Sequence, residues 1–245
     1  MSLIYEPKGA AREYAPLALN LYLGCSHRCR YCYVPSVLRK DRAVWEVTPP
    51  KRRALEFDLA REASALRRSE TYGPVFMCFM CDPYQEIEAK YELTRAAIQI
   101  LTCEGHGQSV RILTKAGMLA QRDFDLLRRD CRSEFGVTLT FCRDIAASRH
   151  WEPGAALPWQ RIENLKAAKA AGIRTWVSLE PVLDSWETLT AISWAAPYTD
   201  KFYLGKLNHM EPPSPIDWPA FRQEAEALFA MLGVDYEIKK ALREA

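Results

Sequence analysis

The sequence predicts an α/β fold built on a parallel sheet, and three observations carry that expectation. Short apolar runs of strand character alternate with longer runs of helical periodicity along the 245 residues. No Ser/Gly linker or break in composition interrupts them, and the residues closing the apolar runs are polar, ionisable or thiol-bearing. Alternation of this kind sets helices outside a sheet whose strands run in one direction. An open doubly wound sheet and a curved, partial barrel both satisfy it. One domain over 1–245, with a core over 17–233 and short extensions at either end, accommodates the pattern.

The elements follow in order. Leu17 to Gly24 (LALNLYLG) reads as a strand running into a cysteine-rich loop, and Lys51 to Ser69 has helical periodicity. Val75 to Met80 (VFMCFM) is a continuous apolar run between Gly-Pro and Asp-Pro, which suits a buried strand. Thr94 to Glu104 reads as a helix and SVRILTK as a strand ending at Lys115. RDFDLLRRDC is helical, GVTLTFC a strand, and PWQRIENLKAAKAAG a helix stopped at Gly172. RTWVSLEP is the fifth strand, SWETLTAISWAA the fifth helix and KFYLGKLN the sixth strand. WPAFRQEAEALFAML is a closing helix, with DYEIK a tail of undecided structure.

Hydrophobic residues make up 49% and charged residues 26%, an ordinary globular composition. No stretch approaches the run of about 18 apolar residues that a membrane span needs, and the N-terminus lacks the apolar core of a signal peptide. A cytoplasmic monomer without a membrane partner is expected, and its eight cysteines are thiols or metal ligands before they are disulfides. Cys103 and Cys131 fall in helical segments and read as small core residues. The net charge of +2 does not argue for nucleic acid. Between Arg28 and Arg53, however, eight Lys or Arg face only Asp41 and Glu46. That run is either a solvated face or a phosphate-binding patch. Neither GxGxxG nor GxxxxGK[ST] occurs, so the usual nucleotide cradles are absent.

In parallel α/β folds the chemistry sits at the carboxyl ends of the strands. Those ends carry Cys25, then Cys81 and Asp82, Lys115, Cys142 to Asp144, Glu180, and Asn208 with His209. The first holds the most informative stretch, GCSHRCRYCYVP, with Cys25, Cys29 and Cys32. A structural zinc site closes its tetrahedron with four protein ligands. Here no His or Cys follows Cys32 until Cys78. Three thiolates on a four-iron cubane leave one iron without a protein ligand.

The spacing C-x3-C-x2-C, with an aromatic before the third cysteine, resembles the signature of radical SAM enzymes. In order along the chain, NLYLGCSHRCRYCYVP, CDPYQ, ILTK with RDFDLL, and EPGA…R…AGIR…EP are similar to spore photoproduct lyase-like members, over roughly residues 5 to 185. The resemblance implies a partial (β/α)6 barrel of the radical SAM type. It also implies a [4Fe–4S] cluster on Cys25, Cys29 and Cys32 whose open iron chelates S-adenosylmethionine. Reductive cleavage of that cofactor would yield methionine and a 5′-deoxyadenosyl radical, the electron coming from a reductant such as flavodoxin or ferredoxin. Carried over by position, Tyr31 resembles the aromatic beside the adenine, and Lys115 the lysine that pairs with the cofactor carboxylate. Thr140 falls near a family serine at the cofactor's amino-acid end. A strand-end lysine suits a carboxylate in its own right, although a surface lysine covering apolar neighbours would read the same way.

Some positions depart from the pattern. MCDPYQE stands where most members have a Gly-Gly-Glu-like turn for the cofactor amine, leaving that task to Asp82 or Cys81; Asp82 could equally begin the Asp-Pro turn. The hydrogen-donor cysteine of the lyase corresponds to Phe79, with Cys78 and Cys81 on either side. Strand alternation would send these two to opposite faces. Tyr31 and Tyr33 resemble the lyase's radical-relaying tyrosines, with simple packing the other reading. Glu180 either holds the cofactor ribose, acts on substrate or caps its strand.

Two classes of function follow. One is an enzyme that cleaves S-adenosylmethionine and abstracts hydrogen from a nucleic acid, a peptide or a small molecule, with lyase-like repair or modification of nucleic acid as one form. The other is a regulatory protein that carries an iron–sulfur or zinc site without turnover.

Overall fold

The computed structural model describes residues 2–47, 51–52, 56–103, 105–207 and 210–245. Eight strands form one sheet in chain order. They are β1 (Ile4–Tyr5), β2 (Leu17–Leu19), β3 (Pro74–Met77), β4 (Ser109–Thr114), β5 (Glu134–Thr138), β6 (Arg174–Val182), β7 (Lys201–Lys206) and β8 (Asp235–Ile238). Only β1 runs antiparallel, with Ile4 opposite Leu19; the remaining neighbours pair in parallel. A doubly wound sheet reverses its strand order at a switch point. The order here never reverses, and β1 does not pair with β8, so the sheet is an unclosed, partial barrel.

Several boundaries moved from the sequence expectation. The run from Leu17 to Gly24 divides, because Asn20 leaves the ladder to accept from the Met80 N–H at 2.9 Å and donate to the Tyr5 hydroxyl at 2.9 Å. Tyr22–Leu23 then pairs with Lys51–Arg52 in a separate ribbon, and the first long helix starts only at Glu56. RDFDLLRRDC keeps only one α-turn, Phe124–Leu127, entered from a 3-10 helix that begins upstream of it, Met118–Asp123. DYEIK supplies β8, aligned with β7 from Asp235 opposite Lys201. Asn208, His209 and Arg53 lie outside the described residues. Cys103 and Cys131 are exposed, since Cys103 stands at a helix C-cap and Cys131 in a turn.

Strand alternation sorts the core. Val75, Met77, Val110, Ile112, Val177 and Leu179 point outward, where they pack in one cluster with Ile98, Leu165, Ile192 and Phe229 of the surrounding helices. The intervening residues Phe76, Leu113, Trp176 and Tyr203 fill the lower barrel with Ala18 and Tyr14. Trp176 fits because β5 has Gly136 beside it; a Cβ there would meet the indole at 2.4 Å. The Arg111 guanidinium lies 4.4 Å from the Trp176 ring centroid and pairs with Glu134 at 3.0 Å. Cation–π contact and an ion pair together compensate its burial. The open seam is bridged by chain segments from either end, where Lys239 Nζ lies 3.1 Å from Glu13 Oε2 and 3.6 Å over the Tyr14 ring.

Candidate active site

Above this packed floor lies a cavity of about 1010 Å³, lined by Cys25, Cys29, Cys32, Tyr31, Tyr33, Cys78, Cys81, Asp82, Lys115 and Glu180 among others. The loop carrying the first three is held from several directions. Gly24 enters it at φ +92° and Arg28 adopts φ +52°, so the chain turns sharply twice. The buried Gln85 amide accepts from Ser26 N–H at 2.9 Å and donates to the Gly24 carbonyl at 3.1 Å. From the opposite side, Arg30 N–H donates to the Trp151 carbonyl and Gly154 N–H to the His27 carbonyl. Arg42 donates to the Cys32 carbonyl at 2.5 Å. These bonds fix the backbone and leave the three thiols half-buried and facing the cavity.

Burial pushes all three thiols up, Cys29 to about 12. A bound cation reverses that preference, because metal coordination takes the deprotonated sulfur. Among the described residues, no three His, Cys, Asp or Glu side chains converge closely enough to hold one metal ion. A cubane asks for something else, one thiolate at each of three separate irons. His27, within the same loop and 3% exposed, has a buried Nδ1 without a hydrogen-bond partner among the described residues. Desolvation lowers its pKa, so it is neutral near pH 7. Three cavity-facing thiols on a fixed loop, with a buried imidazole nitrogen left unpartnered beside them, fit a sulfur-rich cluster.

Lys115 directly follows β4 at the cavity wall. Its backbone is fixed by Asp82, which accepts from Lys115 N–H at 2.7 Å, and by Ala156, whose N–H donates to the Lys115 carbonyl at 2.9 Å. The ammonium lies 5.6 Å from the Tyr31 ring centroid and makes no hydrogen bond among the described residues. Burial alone would lower its pKa, but the charges of Cys29 and Glu152 outweigh burial and hold it above the ordinary value. It is a charged donor at the cavity wall. Asp82 is already occupied: Oδ1 accepts from Tyr84 N–H at 2.8 Å and Thr114 Oγ1 at 2.7 Å, Oδ2 from Lys115 N–H. It ties two strand-end loops together while still lining the cavity.

Behind Tyr31 is a buried network that sequence reasoning missed. Glu152 accepts from the Tyr31 hydroxyl, from Thr140 Oγ1 at 3.2 Å and from Arg161 Nη2 at 2.5 Å. Arg161 also donates to the Thr138 carbonyl at 3.0 Å and the Ala156 carbonyl at 2.9 Å. Burial would raise the Glu152 carboxyl, but Arg161 and then Lys115 hold it below the usual range. Thr140 belongs to this network and is not among the cavity-lining residues. Glu152 and Arg161 sit in EPGA and PWQR, and that quoted similarity was the one signal pointing to them.

The expectation that Cys78 and Cys81 face opposite ways is corrected. β3 ends at Met77, and Cys78 adopts φ +76°, so alternation stops before either cysteine and both line the same cavity. Phe79 stacks on Phe76, centroids 4.1 Å apart. Tyr33 is 38% exposed and donates to the Phe79 carbonyl at 2.7 Å, bridging the cysteine loop to this segment. Glu180 accepts from the Tyr14 hydroxyl at 2.5 Å; burial pushes its carboxyl above the ordinary value. A Cβ at Gly205 would meet the Glu180 side chain at 2.8 Å, so β7 leaves room for it.

Comparison with known proteins agrees with this architecture. An uncharacterized protein of Methanocaldococcus jannaschii is 26% identical over 196 residues, covering 79% of this chain and 71% of that one. An uncharacterized protein of Mycobacterium tuberculosis is 30% identical over 186 residues, and the chain spans about half of that relative's length, 52%. Among solved structures, spore photoproduct lyase complexed with dinucleoside spore photoproduct superposes with a TM-score of 0.73 at 13% identity, covering 96% of this chain and 79% of that one. Streptococcus suis SuiB bound to S-adenosylmethionine gives 0.62 at 10% identity, covering 90% and 45%. The family model of the Radical SAM superfamily matches residues 19–186, which hold the cysteine loop, β3 to β6 and Lys115. The chain belongs to the Radical SAM superfamily.

Proposed function

We infer that the protein is a radical SAM enzyme that holds a [4Fe–4S] cluster on Cys25, Cys29 and Cys32 and cleaves S-adenosylmethionine reductively. The cluster supplies the electron, received from a flavodoxin- or ferredoxin-type reductant in the cytoplasm, and the cofactor supplies a 5′-deoxyadenosyl radical that abstracts hydrogen from the substrate. The observation that carries this reading is Lys115, a half-buried ammonium with no hydrogen bond among the described residues, facing the same cavity as the three thiols. A regulatory metal site needs no carboxylate receptor. Lys115 binds the cofactor carboxylate by a charge-assisted hydrogen bond. Tyr31, immobilised by Glu152, forms the wall beside the adenine, and Glu180 with Tyr14 offers a polar group to a ribose or to substrate. The packed floor keeps water out from below.

Reconstitution with iron and sulfide under anaerobic conditions tests this reading. With dithionite and S-adenosylmethionine, the brown protein should release 5′-deoxyadenosine. A brown protein that binds the cofactor but releases none would be a regulatory site instead.

A second reading concerns the substrate. Arg30 and Arg42 of the basic run are engaged with the His150 and Cys32 carbonyls, whereas Arg28, Arg39, Lys40 and Lys51 are exposed. Those four favour a polyanion, and lyase-like modification of nucleic acid is the form that takes.

A further inference from the structure

Between Cys25 and Cys29, Ser26 is half-buried and Arg28 exposed, and only His27 is turned fully inward, 3% exposed. Its backbone is held against the EPGA turn. Gly154 N–H donates to the His27 carbonyl at 3.0 Å, and a Cβ on Gly154 would meet the His27 Cα at 3.0 Å. The imidazole lines the cavity with Cys25, Cys29, Asp82 and Lys115. Its Nε2 lies 3.7 Å from Asp82 Oδ2. That carboxylate is fixed, because it accepts from Tyr84 N–H, Thr114 Oγ1 and Lys115 N–H. The gap is too long for a direct hydrogen bond, yet a fixed carboxylate there places the ring hydrogen on Nε2. The lone pair is then on Nδ1, and the two ring nitrogens point apart, so it is directed away from Asp82. Nδ1 is buried and has no hydrogen-bond partner among the described residues. Carboxylate, imidazole N–H and bare nitrogen, in that order, are how proteins orient a metal-binding histidine. A histidine kept for packing would have its buried nitrogens satisfied.

We propose that His27 Nδ1 is a fourth protein ligand of the cluster, closing the open iron while no S-adenosylmethionine is bound and yielding that iron to the cofactor. A mononuclear site gathers several side chains on one ion. A cubane asks for one donor at each iron, and imidazole replaces thiolate in some iron–sulfur centres, so a single nitrogen beside three thiolates completes the set. The exchange needs no electron: the bond from iron to Nδ1 breaks, the cofactor bonds to the same iron, and the nitrogen keeps its lone pair. The closed cluster holds its fourth iron through oxidation that would strip an open one. Its imidazole also competes with the cofactor, so only the open fraction of molecules binds, and the apparent affinity falls accordingly.

The proposal rests on the cluster reading above, and two measurements on the reconstituted full chain keep the two apart. In the first, protein without a histidine tag is labelled with ¹⁵N-histidine and reduced with dithionite in the absence of S-adenosylmethionine. Pulsed electron paramagnetic resonance should show a strongly coupled ¹⁵N nucleus, the mark of a direct iron–nitrogen bond. The coupling should vanish in His27→Gln, and in the wild type when unlabelled S-adenosylmethionine is added. A cubane with no coupled nitrogen, or with only the weak coupling of a hydrogen bond, overturns the proposal and leaves the cluster reading standing. Failure to assemble any cubane sinks both. The second measurement separates a ligand from a residue that merely supports the loop. If the ring closes the site in about four molecules of five, His27→Gln should bind S-adenosylmethionine about fivefold more tightly in equilibrium dialysis. Treated with ferricyanide before the cofactor is added, the variant should also lose its fourth iron faster than the wild type. Unchanged or weaker cofactor binding in the variant, as expected of a supporting residue, overturns the proposal.

Discussion

Gly154 and Ser26 approach so closely that a Cβ on Gly154 would come within 2.1 Å of the Ser26 carbonyl oxygen. The neighbouring bond from Gly154 N–H to the His27 carbonyl, 3.0 Å, sets that approach. Gly154→Ala must therefore push the cysteine loop off its support. The expected cost is about 1–3 kcal/mol, as for overpacking elsewhere, with iron content after reconstitution well below that of the wild type. Denaturant midpoints and iron analysis on one preparation check both. Full iron loading in Gly154→Ala would mean that the loop needs no such seat.

Replacing Cys25, Cys29 and Cys32 together by Ala should abolish the brown colour and the release of 5′-deoxyadenosine. The wild type should bind about four irons and four sulfides. A cubane surviving in the triple variant would identify Cys78 and Cys81 as ligands, since both face the same cavity.

Lys115→Ala should retain the cluster and weaken S-adenosylmethionine binding by about 1.5–3 kcal/mol, the range for a hydrogen bond to a charged group. Equilibrium dialysis on reconstituted protein measures it. Unchanged affinity would return Lys115 to the role of a packing residue.

Glu152→Ala leaves the Arg161 guanidinium buried and unpaired, and should cost about 3–5 kcal/mol. The native carboxylate also fixes the direction of a pH effect. Its folded pKa is lowered despite burial, by Arg161 and then Lys115, so its contribution is complete above the ordinary Glu value of about 4.3. That contribution is lost as pH falls through the lowered folded value. Denaturant midpoints taken downward from neutral pH should fall more steeply for wild type than for Glu152→Gln. Parallel acid limbs would show that the carboxylate carries no such linkage.

If the basic face binds nucleic acid, Arg39→Ala and Lys40→Ala should each lower the log–log salt slope by about one, with cofactor cleavage unchanged. A fluorescence anisotropy titration on duplex and single-stranded oligonucleotides reads this directly. No binding at low salt, where screening is weakest, would make the run a solvated face.

Most of the architecture was legible because each parallel strand is a local apolar run with a turn signal at its end. LALNLYLG misled through Asn20, a polar residue inside an apolar string, whose side-chain bonds to Met80 and Tyr5 break the strand. DYEIK was undecided because an edge strand lacks the continuous apolar character of a central one. At the site, spacing alone exposed Cys25, Cys29 and Cys32. Glu152 and Arg161 were invisible as a pair because each reads as an ordinary surface charge until folding buries both. The shared orientation of Cys78 and Cys81 depends on one backbone angle, which no residue pattern announces.

The indole of Trp176, seated against Gly136, has a consequence for traffic. With Phe76, Arg111 and Tyr203 it stoppers the barrel from beneath, so among the described residues the cavity is a well closed at its floor and approached over the strand-end rim. On the proposed reading, a cofactor that enters over that rim would also leave over it, and its products would then compete with the reactants of the next cycle.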